Sequence, residues 1–285
     1  MEGKVPAWRA ALLSALILAA LLGAWELAVR GALGAGAGGG AMDPEYAALI
    51  GAAAQQGQQT PMPAPSEIAL RLWELLHDPF YIRGTNDQGI GIQLAWSLAR
   101  VGVGFGLGCL VAIPLGFLIG MSPLLHGALN PFIQVLRPVS PLAWMPLALY
   151  TIRDSSISSV FVIFICSIWP MLLNTAFGVA SVRREWLNVA RTLEAGTWRT
   201  AMRVILPAAA PTILTGMRIS IGIAWLVIVA AEMLVGGTGI GYWVWNQWNN
   251  LSIADIVIAI LLIGVVGLML DRLLGLIARA VAWQE

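Results

Sequence analysis

Long apolar runs separated by short polar breaks take up most of this chain. Segments 10–29, 92–120, 124–152, 157–179, 211–235 and 253–281 each reach the roughly 20 residues a helix needs to cross about 30 Å of hydrocarbon. Inside a bilayer only helices and closed barrels satisfy their own backbone, so the pattern predicts an all-α polytopic membrane protein with about six transmembrane helices. The third run carries Pro131, Pro138, Pro141 and Pro146, which predicts a bent or interrupted helix; irregular backbone at that depth is tolerated where protein buries it or where it lines a cavity. The second run is rich in glycine (Gly102, Gly104, Gly106, Gly108, Gly116), and small residues predict close approach of a neighbouring helix.

The polar breaks are unequal. The stretch 31–90 follows a first helix in 1–30 and precedes a five-helix core in 91–282. Within it, Ser66 is placed to cap a helix whose Ile68, Leu72, Leu75 and Leu76 share one face, lying either on the membrane surface or against the spans. The break at 181–210 is the only long polar interruption in the second half and holds Arg183, Arg184, Arg191, Arg199 and Arg203. Trp186, Val189, Leu193, Trp198, Met202 and Ile205 recur there at helical spacing, and Pro207 predicts the helix end. An amphipathic helix on a basic loop between spans needs a partner, the bilayer surface or a groove on another protein.

Composition agrees: of 285 residues, 59% are hydrophobic and only 11% charged, with mean hydropathy +0.81, where a soluble domain carries about a quarter charged residues. A net charge of +1 gives no reason to expect a nucleic-acid partner; the arginines act by position. With the N-terminus inside, nine basic residues (Lys4, Arg9, the five loop arginines, Arg272, Arg279) face inwards and four (Arg30, Arg71, Arg83, Arg153) outwards, which predicts cytoplasmic termini and a cytoplasmic 181–210 loop in the plasma membrane. Trp243, Trp245 and Trp248 are then expected at the outer headgroups. A cleaved leader is the alternative for 10–29, given the small-residue stretch GALGAGAGGGA after it.

Chemistry is sparse. Cys109 and Cys166 lie within apolar runs and read as small hydrophobes, and His77 and His126 form no ligand cluster, so no metal is expected. The glycine stretch lacks the Gly-Lys-Ser/Thr of a phosphate loop, and Lys4 is the only lysine; any nucleotide site must lie on another polypeptide. Neither Gly-x-Ser-x-Gly nor His-Glu-x-x-His occurs, so a membrane-embedded hydrolase is not indicated.

The segment NVARTLEAGTWRTAMRVILP resembles the cytoplasmic coupling loop of ABC-transporter permeases, whose pattern is Glu-Ala-Ala, three residues, Gly, nine residues, Ile, one residue, Leu-Pro. Asn188, Val189 and Ala190 fill the first places, Val204 the Ile place, and Leu206 and Pro207 the last pair. Glu194 stands where the glycine is expected, with Gly196 two residues on, so the turn between the two short helices is expected to differ. PFIQVLRPVSPLAWMPLALY, FVIFICSIWPMLLNTAFGV, TGMRISIGIAWLVIVAAEMLVGGTGIGYWVWNQWNN and GLMLDR extend the likeness over residues 80–272 and are similar to the nitrate-type branch, which has bicarbonate and cyanate relatives and sulfonate and taurine cousins.

The resemblance implies a type I importer fold with two permease copies, cytoplasmic ATPases that hold ATP and Mg, and an external anion-binding protein. It also implies that this chain has no catalytic residue or cofactor of its own, that nitrate is the cargo ahead of bicarbonate, cyanate or sulfonates, and that residues 188–207 dock on the ATPase. An ATP-independent secondary transporter or channel is the rival class. Charges at membrane depth are costly and mark function. Of Arg100, Arg137 and Glu232, either arginine is a candidate stop for the anion with Glu232 as its neutraliser, or Arg100 and Glu232 form a fixed interhelical pair. Trp144, Trp169 and Trp225 read as packing residues.

Overall fold

The computed structural model describes residues 7–36, 62–84 and 87–281, and among these the fold is helical, with one isolated β-bridge between Ile82 and Gln88. Ten helices follow in chain order: α1 (Ala7–Gly36), α2 (Pro65–His77), α3 (Ile90–Met121), α4 (Pro123–Leu136), α5 (Pro141–Ile152), α6 (Ser155–Ala180), α7 (Arg184–Thr192), α8 (Thr197–Val235), α9 (Ile240–Asn249) and α10 (Ile253–Val281). Five of them are long and apolar enough to cross a membrane; α4 and α5, bent by 92° at their junction, make a sixth if counted as one broken span. Residues 37–61, which include the end of the small-residue stretch, lie outside the described residues.

The chain divides into two compact units, residues 1–78 with 247–260, and residues 79–246 with 261–285. In the first, α2 starts two residues earlier than a Ser66 cap would place it, with Ala64 at the cap position. Pro65 occupies its first turn, where a missing N–H costs nothing, and Glu67 reaches back to accept from the Ala64 amide at 3.2 Å. Ser66 instead donates its hydroxyl to Glu26 of α1 at 2.9 Å. Arg71 donates to Asp255, in the first turn of α10, at 2.9 Å, and the carboxylate raises the pKa of the guanidinium above its ordinary value. So α2 is tied to two other helices of its unit and is not a free surface helix.

In the second unit α6 is central, packed against α3, α5 and α8. The glycines of α3 sort by face. A Cβ on Gly104, Gly116 or Gly120 would meet Ile163, the Leu172 carbonyl or the Ala176 carbonyl of α6 at 2.5–2.7 Å, and one on Gly108 would touch Ser167. Gly102 and Gly106 face open space. The stripe therefore runs at i, i+4 through Gly104, Gly108, buried Ala112, Gly116 and Gly120, letting two backbones approach closely. Ser220 of α8 donates to the Ser167 carbonyl of α6 at 2.7 Å, a polar tie in an otherwise apolar interface.

The proline-rich third run is interrupted as expected, but the expectation at Pro207 is corrected. Of the four prolines in the third run, Pro131 and Pro146 sit inside helices; the chain breaks only at 137–140, where the Ser140 hydroxyl caps α5 and Pro141 takes its first position. Pro207 does not end a helix. The chain runs unbroken from Thr197 through Pro207 and Pro211 to Val235. Just before Pro207, residues Ala201–Ile205 widen into a π turn, with the Leu206 amide donating to the Ala201 carbonyl five residues back. That turn changes the hydrogen-bond register as the ladder enters a residue with no N–H to give.

Candidate functional sites

At the 181–210 loop, α7 ends in a Schellman turn. The Ala195 amide donates to the Ala190 carbonyl at 3.0 Å and the Glu194 amide to the Arg191 carbonyl at 2.9 Å, with Glu194 at φ +51°. This is the left-handed position that glycine fills most easily, so the glycine of the loop pattern has a physical reason, and here a glutamate adopts the same turn. Gly196, at φ −61°, is an ordinary cap residue at the start of α8 and does not take over the role.

Ala190 is buried and Val204 and Leu206 are half-buried, whereas Asn188, Val189, Glu194, Gly196 and Pro207 are exposed. Ile205 packs with Val179 of α6 and Ala209 and Ile213 of α8, and Leu187 of α7 covers that cluster. Trp186, Val189, Leu193, Trp198 and Met202 lie exposed, Leu193 and Trp198 at 74%. Of the helically spaced apolar residues in the loop, only Ile205 is in the core.

A second site joins α3, α8 and the glycine loop after α8. Arg100 Nη1 lies 2.7 Å from Glu232 Oε1, with both side chains largely shielded, the glutamate 2% exposed. Ser97 Oγ lies 2.8 Å from Glu232 Oε2, and the Gly241 amide donates to the same oxygen at 3.1 Å. Arg100 also donates to Ser156 at 3.1 Å and to the Thr238 carbonyl. The Gly239 amide donates to Gln93 Oε1 and the Ile240 amide to Ser97 Oγ at 2.9 Å.

The backbone of the 236–239 loop is possible only because of its glycines: Gly236, Gly237 and Gly239 have φ of 78°, 99° and 151°, and a Cβ on Gly239 would sit 2.2 Å from the Glu232 carboxylate carbon. Gln93 and Ser156 belong to no motif of the sequence; the glycines of the GGTGIG run, with Thr238 among them, are the sequence feature that marks a tight loop here. Trp243 follows that loop and is 5% exposed, so of the three tryptophans expected at headgroup level it is instead a core residue; Trp245 and Trp248 remain more open.

Arg137 is elsewhere. It is exposed at the break between α4 and α5 and lines a cavity of about 500 Å³ together with Cys166, Trp169, Leu173, Asn174 and Ile223. Of the other span tryptophans, Trp225 is buried and donates to the Ile263 carbonyl at 2.9 Å, and Trp144 meets Phe161 edge-on at 6.5 Å. No group of three or more His, Cys, Asp or Glu residues is placed to hold a metal among the described residues.

Long apolar helices, a broken span beside a cavity, and an exposed helical loop with its own turn chemistry define a polytopic helical membrane protein. Residues 112–283 match the family described as binding-protein-dependent transport system inner membrane component, and the chain belongs to that family. It is 43% identical over 229 residues to the nitrate import permease protein NrtB of Synechocystis sp., covering 80% of this chain and 83% of that one. It is 41% identical over 223 residues to the bicarbonate transport system permease protein CmpB of Synechococcus elongatus, covering 77% and 80%. Among solved structures, the inward-facing MetNI methionine ABC transporter matches with TM-score 0.58 at 15% identity, over 66% of this chain and 94% of that one, a likeness of fold.

Proposed function

We propose that this chain is the membrane-spanning subunit of an ATP-driven importer for a small inorganic anion, nitrate in first place, working as two copies with cytoplasmic ATPases and an external anion-binding protein. The observation that carries the reading is the 181–210 loop: a short helix and a turn into α8 on which the apolar residues Val189, Leu193 and Trp198 lie exposed, on a chain whose relatives of 41–46% identity include nitrate and bicarbonate permeases. An apolar helix face beside five arginines is the chemistry of a helix that docks in a partner's groove.

The same loop supplies a mechanical route. Its second helix continues as α8 to Glu232, about 50 Å away at 1.5 Å per residue. Ala190 and Ile205, both buried, anchor the loop where it meets the spans. Displacement of the loop by the ATPases is then carried along α8, with the π turn at Ala201–Ile205 as the place where the helix yields. Glu232 and Arg100 act at the far end as a clamp that holds the 236–239 loop and the start of α9 on α3 and α8. Both termini lie in the cytoplasm in this arrangement, and ATP binding and hydrolysis supply the free-energy difference between the states.

Energy-dependent uptake of isotopically labelled nitrate, measured with and without this chain and with unlabelled nitrite, bicarbonate or taurine as competitors, tests the proposal. Uptake lost on deletion and competed by nitrite alone supports it. Loss of bicarbonate uptake instead keeps the importer and changes the cargo, as the bicarbonate relative would suggest. Absence of any energy-dependent anion flux refutes the importer itself.

A further inference from the structure

The structure assigns the anion's stopping point within this subunit to the cavity at Arg137 and removes Arg100 from that role; this rests on the importer reading above. The two arginines are in opposite electrostatic states. Arg100 is neutralised by a buried carboxylate and spends further N–H donors on Ser156 and the Thr238 carbonyl. A guanidinium so engaged cannot bind a passing anion without giving up Glu232. Arg137 has no ion pair or hydrogen bond through its side chain among the described residues, and no Asp or Glu lines its cavity.

The cavity has the depth and the walls for such a stop. Its α6 residues run from Cys166, near the middle of that helix, to Phe177 in its last turn, and its α8 residues Ile219 and Ile223 are mid-helix. It opens beside the 92° break between α4 and α5, and irregular backbone is tolerated at membrane depth where it lines such a space. Arg137 is itself exposed at this break, so an anion in the cavity can reach its guanidinium, and no carboxylate of the lining competes for it.

The ligand chemistry follows from the group. A guanidinium presents N–H donors in a plane, matched to two oxygens of a planar oxyanion. Trp169 and Asn174 are the other lining residues that carry side-chain N–H groups, one of those on Asn174 being spent on the Pro170 carbonyl at 2.8 Å; the rest of the lining, Cys166 apart, has only apolar side chains. A volume of about 500 Å³ is far larger than a small anion, which favours a partly hydrated, weakly held ion over a tight site, as transit requires.

The test uses the assembled complex with its ATPase and binding protein in vesicles. Arg137→Gln should lower the maximal anion uptake at least tenfold while the complex still co-purifies and hydrolyses ATP, and Arg137→Lys should restore uptake to within about threefold. Uptake by Arg137→Gln within twofold of the unsubstituted complex overturns the assignment, as does a Lys variant no better than Gln. Every variant is read on whichever anion the unsubstituted complex carries, so a cargo other than nitrate changes the proposed function without touching this assignment.

Cys166 gives a readout independent of transport, and it covers the case in which Arg137→Gln fails to assemble. With Cys109 replaced by Ser, an anionic thiol reagent should label Cys166 faster than a cationic reagent of the same size, and the carried anion should slow the labelling. Arg137→Lys should keep that preference, and Arg137→Gln, where it assembles, should abolish it. Equal rates with both reagents, or no labelling at all, would show that the cavity does not concentrate anions.

Discussion

Replacing Glu232 with Gln tests the Arg100 cluster most directly. The carboxylate accepts from Arg100 at 2.7 Å, from Ser97 at 2.8 Å and from the Gly241 amide at 3.1 Å. An amide can replace one oxygen as acceptor but sets an N–H₂ where the other accepted, and it leaves Arg100 as an uncompensated charge. Removing one partner of a buried pair costs about 3–5 kcal/mol. Arg100 is 12% exposed and keeps the Thr238 carbonyl and Ser156 as partners, which places the expectation at about 3 kcal/mol, the low end of that range. Arg100→Gln should cost a similar amount, because Glu232 is then buried with only Ser97 and the Gly241 amide to satisfy it.

The double variant carries neither charge, and its two amides can pair with each other, so it should be at least about 2 kcal/mol more stable than the sum of the singles predicts. Equilibrium unfolding of the purified subunit in mixed micelles measures all three. Single-variant losses below about 1 kcal/mol that simply add in the double would show that the two groups do not stabilise one another, and the clamp would have to be abandoned.

Three further outcomes follow from particular contacts. Gly116→Ala places a methyl 2.6 Å from the Leu172 carbonyl and should cost about 1–3 kcal/mol in the same unfolding assay, while Gly102→Ala, facing open space, should be neutral or stabilising by up to about 1 kcal/mol. Glu194→Gly relieves a left-handed residue at φ +51° and should raise the unfolding free energy by up to about 1 kcal/mol; a loss of stability would mean that the glutamate side chain contributes more than its backbone costs. Trp198→Asp, on a residue 74% exposed, should leave the subunit folded but weaken co-purification of the ATPase by at least about 30-fold, the equivalent of a 2 kcal/mol contact; undiminished binding would move the docking surface elsewhere.

The sequence alone determined the architecture. Hydrophobic runs long enough to span a bilayer admit few solutions, so the all-helical class, the number of spans and the broken third run are legible from residue order. Motif spacing carried the family, because the coupling pattern from Asn188 to Pro207 survives two departures at Asn188 and Glu194. Local rules misjudged Pro207 and Ser66. A proline at the start of a helix and a proline at its end look alike until the helix on the far side is seen, and Ser66 bonds to Glu26, 40 residues away in sequence.

Only the tertiary structure decided which charges meet. Arg100 and Glu232 are 132 residues apart, and nothing in their local sequence distinguishes Arg100 from Arg137. Packing of α3 on α6 and α8 brings the first arginine to its carboxylate, and the break after α4 leaves the second facing a cavity. The same holds for the glycines of α3: composition marks them all as small, but only the neighbouring backbone of α6 separates those that permit contact from those that face open space. Pair formation and close approach are properties of two segments at once, and a one-dimensional pattern carries only one of them at a time.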